Sequence, residues 1–193
     1  EAKGPFKFST IQAAIDAAQP GDVIEVSDGT YTKATEGVNP NTAAMLFANK
    51  ALTIKAADDG NEVRPIIDAT GYDGAFRMRP SNFMDGTLTV EGFEFTGNAA
   101  SGTALMADMC SPFTENPSLV PARLIITNNV FHGINGGINI WGAPLCAYGR
   151  VPGAQNFEVT NNTFYGLAAL GVDPAYGIML ETLTSKSAWG GRY

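Results

Sequence analysis

One histidine, two cysteines and a low charge content set the first limits on this chain of 193 residues. Neither Cys110 nor Cys146 has a histidine beside it, and His132 is alone, which argues against a Cys/His zinc site, and no metal site is assigned. No apolar run reaches the length of about 18 residues that a membrane helix needs, so no membrane insertion is expected. Positive charge is scarce: 12 Lys and Arg stand against 19 Asp and Glu, a formal charge of −7. That balance argues against nucleic acid, whose phosphates call for a basic surface. It also disfavours a polyanionic glycan unless Ca²⁺ intervenes; the plain alternative is that the charge serves solubility. Glu1 is not an initiator Met and no signal peptide is visible, as in a processed or trimmed chain. Few Lys, two Cys and abundant Asn, Thr and Gly lead us to expect an extracellular or cell-surface location.

What the chain does have is a repeat. Leu88-Thr89-Val90-Glu91-Gly92-Phe93-Glu94-Phe95-Thr96-Gly97 returns as Leu124-Ile125-Ile126-Thr127-Asn128-Asn129-Val130-Phe131-His132-Gly133. It returns again as Phe157-Glu158-Val159-Thr160-Asn161-Asn162-Thr163-Phe164-Tyr165-Gly166. The spacing of the copies is 36 and then 33 residues, a period that marks stacked units. Each unit has alternating apolar positions, a small or Asn corner, a Phe and then Gly, which reads as strand, tight turn, strand. The fold class is therefore all-β, a β-solenoid over one domain of residues 1–193, with rungs over 23–182 and a tail over 183–193.

Residues 8–22 read as a short amphipathic helix capping the first rung, with Ser9 and Gln12 as a capping box and Pro20-Gly21 as its stop. An open solenoid end exposes backbone groups and apolar side chains, so a lid is expected there. Further strands are expected over Ala44–Ala48, Leu52–Ala56, Pro65–Ala69, Ala75–Arg79, Gly102–Ala107, Gly137–Trp141 and Gly177–Glu181. In the register of the repeats, Ile54, Val90, Ile126 and Val159 stack inwards, and Phe95, Phe131 and Phe164 form an aromatic ladder. Asn128 and Asn161 meet at a corner, where Asn tolerates a left-handed backbone and its amide can bond the next rung. Lys55 and Glu91 face outwards and are expected to pair. Irregular stretches at 33–42, 109–121, 142–155 and 167–175 interrupt the array, and insertions on one face of a repeat protein often form its binding face.

The opening Phe8-Ser9-Thr10-Ile11-Gln12-Ala13-Ala14-Ile15, then Pro20-Gly21-Asp22-Val23-Ile24-Glu25-Val26 and Gly29-Thr30-Tyr31, resembles the start of pectate-lyase-like right-handed parallel β-helix proteins. The Asn-Asn-x-Phe repeats are similar to the same superfamily, which includes pectin methylesterases, polysaccharide lyases and many other secreted proteins. The resemblance implies a right-handed parallel β-helix directed at carbohydrate, binding polysaccharide or cleaving it in a lyase-like way. Thr184-Ser185-Lys186-Ser187 resembles a Ser-x-Lys-Ser segment of alginate or chondroitin lyases. The polygalacturonase set of Asn-Thr-Asp, Asp-Asp and Gly-His-Gly is missing, as are the paired Asp and Gln motifs of the esterases. No catalytic residue is therefore assigned, and whether the chain is an enzyme stays open.

Several side chains invite a functional reading, each beside a plainer one. Cys110 and Cys146 fall at matching places in two consecutive loops; they form a disulfide, worth about 3–4 kcal/mol by chain entropy, or remain two thiols. Trp141, Tyr148, Phe113, Tyr165 and Tyr176 lie in or beside the projecting loops and are the candidate carbohydrate-binding residues, or else they pack the loops onto the solenoid. His132 points outwards with Thr96 and Tyr165, as a general base or as an ordinary surface His. Arg77 and Arg79 share a strand face and could hold a carboxylate; their plain partners would be Glu91, Glu94 or Asp85. Asp58, Asp59 and Glu62 around Gly60 could ligate Ca²⁺, the one cofactor in view, or form an acidic turn. Asn161-Asn162-Thr163 is a formal glycosylation sequon, with Asn161 expected to be occupied in the ladder. The expected partner is a polysaccharide. The alternative is non-enzymatic: a structural or adhesive protein assembling with itself, head to tail through an open C-terminal rung, into a filament.

Overall fold

A computed structural model of the chain describes residues 6–37, 44–60, 62–79, 86–97, 102–108, 123–141, 157–169 and 175–181. Five strands, β1 (Val23–Val26), β4 (Thr53–Ala56), β7 (Thr87–Glu91), β10 (Arg123–Thr127) and β13 (Phe157–Thr160), form the first sheet. The second holds β2 (Gly29–Tyr31), β5 (Pro65–Asp68), β8 (Glu94–Thr96), β11 (Val130–His132) and β14 (Thr163–Tyr165). The third holds β3 (Ala44–Ala48), β6 (Gly74–Met78), β9 (Thr103–Asp108), β12 (Gly136–Trp141) and β15 (Tyr176–Glu181). Every pairing is parallel and joins strands three apart in sequence order. Each turn of chain thus adds one strand to each of three stacked parallel sheets, the arrangement expected of a β-solenoid. None of the described helices is long and apolar enough to cross a membrane.

Alternation builds the core. Ile24, Ile54, Val90, Ile126 and Val159 fall in register on the first sheet, and Ile54, Val90 and Ile126 are wholly buried. On the third sheet Leu46, Phe76, Leu105, Ile138 and Ile178 form a second column. Each of these side chains that is fully buried contributes about 1.5–3 kcal/mol of transfer free energy. On the second sheet Tyr31, Ile67, Phe95, Phe131 and Phe164 stack. Their last three rings lie 5.1 and 4.9 Å apart, tilted by only 11° and 10°. The inward column and the aromatic ladder expected from the repeats are both present.

The corner between the first and second sheets is made by Gly92, Asn128 and Asn161, all left-handed at φ 85°, 56° and 55°. Asn visits this region more readily than other L residues. At Gly92 even Asn is ruled out, since a Cβ there would lie 2.9 Å from Ala56 Cβ. The expectation that Asn128 and Asn161 carry the amide ladder is corrected by the geometry: the next asparagine does. Asn129, 1% exposed, accepts from the Phe93 amide at 3.0 Å and donates to Val90 O at 3.0 Å and Asn162 Oδ1 at 3.1 Å. Asn162 in turn accepts from Asn129 N and donates to Ile126 O, both at 2.9 Å. A left-handed residue turns the chain so that its successor, not itself, points under the neighbouring rung. Asn128 is held from outside, where the Arg64 guanidinium donates to its carbonyl and, at 3.0 Å, to its Oδ1.

The cap helix is shorter than the 8–22 expected. It is α1, Ile11–Ala17, and its N-cap is Thr10, whose hydroxyl accepts from Ala13 N. Ser9 and Gln12 form no capping box. Gln12 instead pairs with the edge of β3, its Nε2 donating to Phe47 O at 3.2 Å and its Oε1 accepting from Phe47 N at 2.8 Å. Side chains from elsewhere satisfy both helix ends. Glu36 accepts from Ile11 N at 2.9 Å and Gln12 N at 3.3 Å, while Lys50 Nζ donates to the carbonyls of Ile15, Asp16 and Ala18. These are the signs that the helix dipole favours at each end. Glu36 belongs to a second helix, α2 (Lys33–Glu36), started by Thr32 inside a stretch expected to be irregular. Ile11, Ala14 and Ile15 are buried, so α1 is the lid that the first rung requires.

Burial pushes the Glu36 carboxyl above the ordinary glutamate range, against the pull of the Ile11 and Gln12 amides. A raised value means that the folded chain holds this proton more tightly than the unfolded chain. The contribution is therefore complete below the unfolded value of about 4.3 and is lost as pH rises through the folded one. We expect the difference in Tm between the wild type and Glu36→Gln to favour the wild type most at acid pH and to decline from there upward. A difference that is flat with pH, or that grows towards neutrality, contradicts this assignment.

Lys55 has a glutamate on each neighbouring strand, Glu25 and Glu91. The expected pair with Glu91 is corrected: the ammonium meets Glu25 at 3.1 Å. Both groups are partly exposed, so the pair is worth about 0–1 kcal/mol. At the far edge, Ile178 and Leu180 continue the inward columns yet are 46% and 43% exposed among the described residues, whereas Ile138 and Ile140 beneath them are fully buried.

Candidate functional site

The outer face of the second sheet carries the most chemistry. Alternation turns Phe95, Phe131 and Phe164 inwards, so Glu94 before one ladder Phe, His132 after the next and Tyr165 after the last all point out. Glu94 sits opposite Val130, and His132 lies two residues further along that strand. The imidazole reaches back diagonally, and its Nε2 lies 2.8 Å from Glu94 Oε1, with the two side chains 24% and 28% exposed. In the neutral ring this contact is a donated Nε2–H, which fixes the tautomer and leaves Nδ1 as a hydrogen-bond acceptor.

Tyr165 stacks on the other side of the imidazole, centroids 4.9 Å apart and planes within 5°. One ring face is thus used, and the residue is still 54% exposed. A flat aromatic surface with a phenol at its edge, beside an oriented imidazole acceptor, suits a ring that is apolar on its faces and hydroxylated on its rim. The same sheet carries Glu94 two strands from Tyr165 and Asp68 three strands away, and none of its five strands contains Lys or Arg. The nearest arginine in sequence, Arg64, is engaged with Asn128.

The other candidate residues divide. Tyr176 lies on the third sheet, so it shares no face with Tyr165. Its ring covers Gly136, where an added Cβ would come within 2.3 Å of it, and its Oη is 2.5 Å from Thr103 Oγ1. This is a packing role between rungs, and close approach explains the glycine. Trp141 ends β12 in register with Asp108 and Glu181, but its side chain lies outside the described residues, as do Phe113, Tyr148, Cys110 and Cys146 and hence the disulfide. Arg79 places its guanidinium 5.7 Å from the Phe47 ring. Glu94, considered as a partner for Arg77 or Arg79, is held by His132 instead. Among the described residues no group of three or more His, Cys, Asp or Glu is placed to hold a metal.

Sequence reasoning turned His132 and Tyr165 to the same face but missed Glu94 as the imidazole's partner. The available signal was its place immediately before a ladder Phe, which sets it outwards. The side-chain reach across the diagonal is not written in any spacing. No family model, curated protein or solved structure matches the chain.

Proposed function

We propose that this chain is a right-handed parallel β-helix of the pectate-lyase-like kind, extracellular or at the cell surface, that binds neutral polysaccharide. The observation that carries this reading is Tyr165, stacked on an imidazole that Glu94 orients and still half exposed on a sheet whose five strands contain no Lys or Arg. Tyr165 serves as the platform for a sugar ring, and His132 Nδ1 accepts from one of its hydroxyls. The lack of Lys and Arg on the strands of this sheet disfavours a polyuronate, whose carboxylates would find no counter-charge on them. A lyase would in addition need a cation against the uronate carboxylate.

Calorimetric titration with neutral and uronic oligosaccharides tests this. Binding of at least one neutral series is expected, with affinity lowered about tenfold, or about 1.4 kcal/mol, in Tyr165→Ala. Equal affinity in that variant, or binding confined to uronates, counts against it. Release of unsaturated uronates from alginate or pectin would restore the lyase reading and also require Ca²⁺ or a cation outside this face.

A second reading, self-assembly, rests on the exposed Ile178 and Leu180 of the last described rung. Buried α1 side chains cover the opposite end, so a head-to-tail filament would have to seat this edge on the helix. Negative-stain imaging decides it: filaments favour assembly, and a monomer at high concentration sinks it.

A further inference from the structure

The corner asparagines are not equivalent, and their differences single out one of them. Asn129 and Asn162 spend their carboxamide nitrogens on Val90 O and Ile126 O of the neighbouring rung. Asn128 is gripped by Arg64 through both its carbonyl and its Oδ1, and Val130 two residues on offers no hydroxyl. Asn161 is exposed, and its carboxamide makes no hydrogen bond among the described residues. Thr163, two residues on, is exposed as well. The chain therefore presents an Asn-x-Thr sequence whose nitrogen the fold leaves unused.

We propose that Asn161 is the acceptor of an N-linked glycan, a site separate from the Tyr165 face. The expectation that Asn161 is occupied in the ladder fails because the left-handed backbone hands that task to Asn162. The donor is a lipid-linked oligosaccharyl diphosphate. The Asn161 amide nitrogen bonds to the anomeric carbon, the carbon–oxygen bond to the diphosphate breaks, and the lipid diphosphate leaves with the electron pair. The amide gives up one proton to the transferase. Nothing in the corner has to break: the left-handed turn projects the side chain off the solenoid, and the ladder bonds of Asn162 remain.

Translation of the full chain behind a cleavable secretion signal, in the presence of eukaryotic microsomes, tests the proposal. The expected result is a glycosidase-sensitive mass increase, with enzymatic release converting position 161 to Asp. Thr163→Val copies Val130 of the preceding rung and preserves the strand; it should abolish the increase. An unmodified wild-type chain in microsomes that modify a control sequon overturns the proposal. So does modification that persists in Thr163→Val. The purified glycoprotein should keep the Tm of the aglycosyl chain, and a loss of folded protein on modification would also contradict it.

Discussion

Asn129→Ala is expected to lose about 1–3 kcal/mol of stability, because it strands the buried Phe93 amide and takes a second donor from the Val90 carbonyl, which keeps its place in the β7–β10 ladder. Each buried group left without a partner costs about 1–3 kcal/mol, and the whole domain has only about 5–15 to lose. The comparison that gives the result meaning is Asn128→Gly, one residue earlier. That residue is exposed, glycine accepts its left-handed backbone, and only the Arg64 bond to Oδ1 disappears while the one to the backbone carbonyl remains, so the cost should stay under about 1 kcal/mol. Urea unfolding of the two variants measures both. If Asn128→Gly were the costlier change, the amide ladder would belong to the first asparagine of each corner after all.

The second large effect is expected at the aromatic ladder. Phe131 is wholly buried between Phe95 and Phe164. Phe131→Ala opens a void that the flanking rings cannot close without breaking their own sheet register, at about 3–5 kcal/mol. Phe131→Leu keeps most of the volume and should cost less than half as much. Phe164→Ala should also be milder, since that ring is only partly buried on the last described rung. Equal losses at 131 and 164 would mean that the ladder carries no gradient of burial.

These two predictions differ in how far the sequence foretold them. Phe131 was legible, because a repeat with alternation of two assigns an inward column directly, and the Ile126 column follows from the same count. Asn129 was not, because the left-handed residue breaks the alternation, and neither asparagine of the pair is marked as the one that turns under. Lys55 shows a different limit: glutamates flank it on both neighbouring strands, and side-chain rotamers choose between them. At the helix start, Ser9 and Thr10 both fit the cap, and Gln12 was free to satisfy the β3 edge rather than a capping box. The candidate site was half legible. Outward positions follow from the Phe ladder, but the diagonal from His132 to Glu94 needs the register between two strands and the reach of both side chains. The expected loop aromatics Phe113 and Tyr148 lie outside the described residues and contribute nothing to the site as drawn.

His132 is the single histidine of the chain, so its imidazole resonances report on the proposed binding face without ambiguity. Nitrogen-15 spectra of the free protein, taken where the imidazole is neutral, should show the Nε2–H tautomer fixed by Glu94, and Glu94→Gln should alter that signature. Titration with a neutral oligosaccharide that binds should then move the Nδ1 resonance in proportion to occupancy, with the shift greatly reduced in Tyr165→Ala. Saturating binding that leaves both imidazole nitrogens unmoved would contradict the account, and would place the carbohydrate somewhere other than the Tyr165 face.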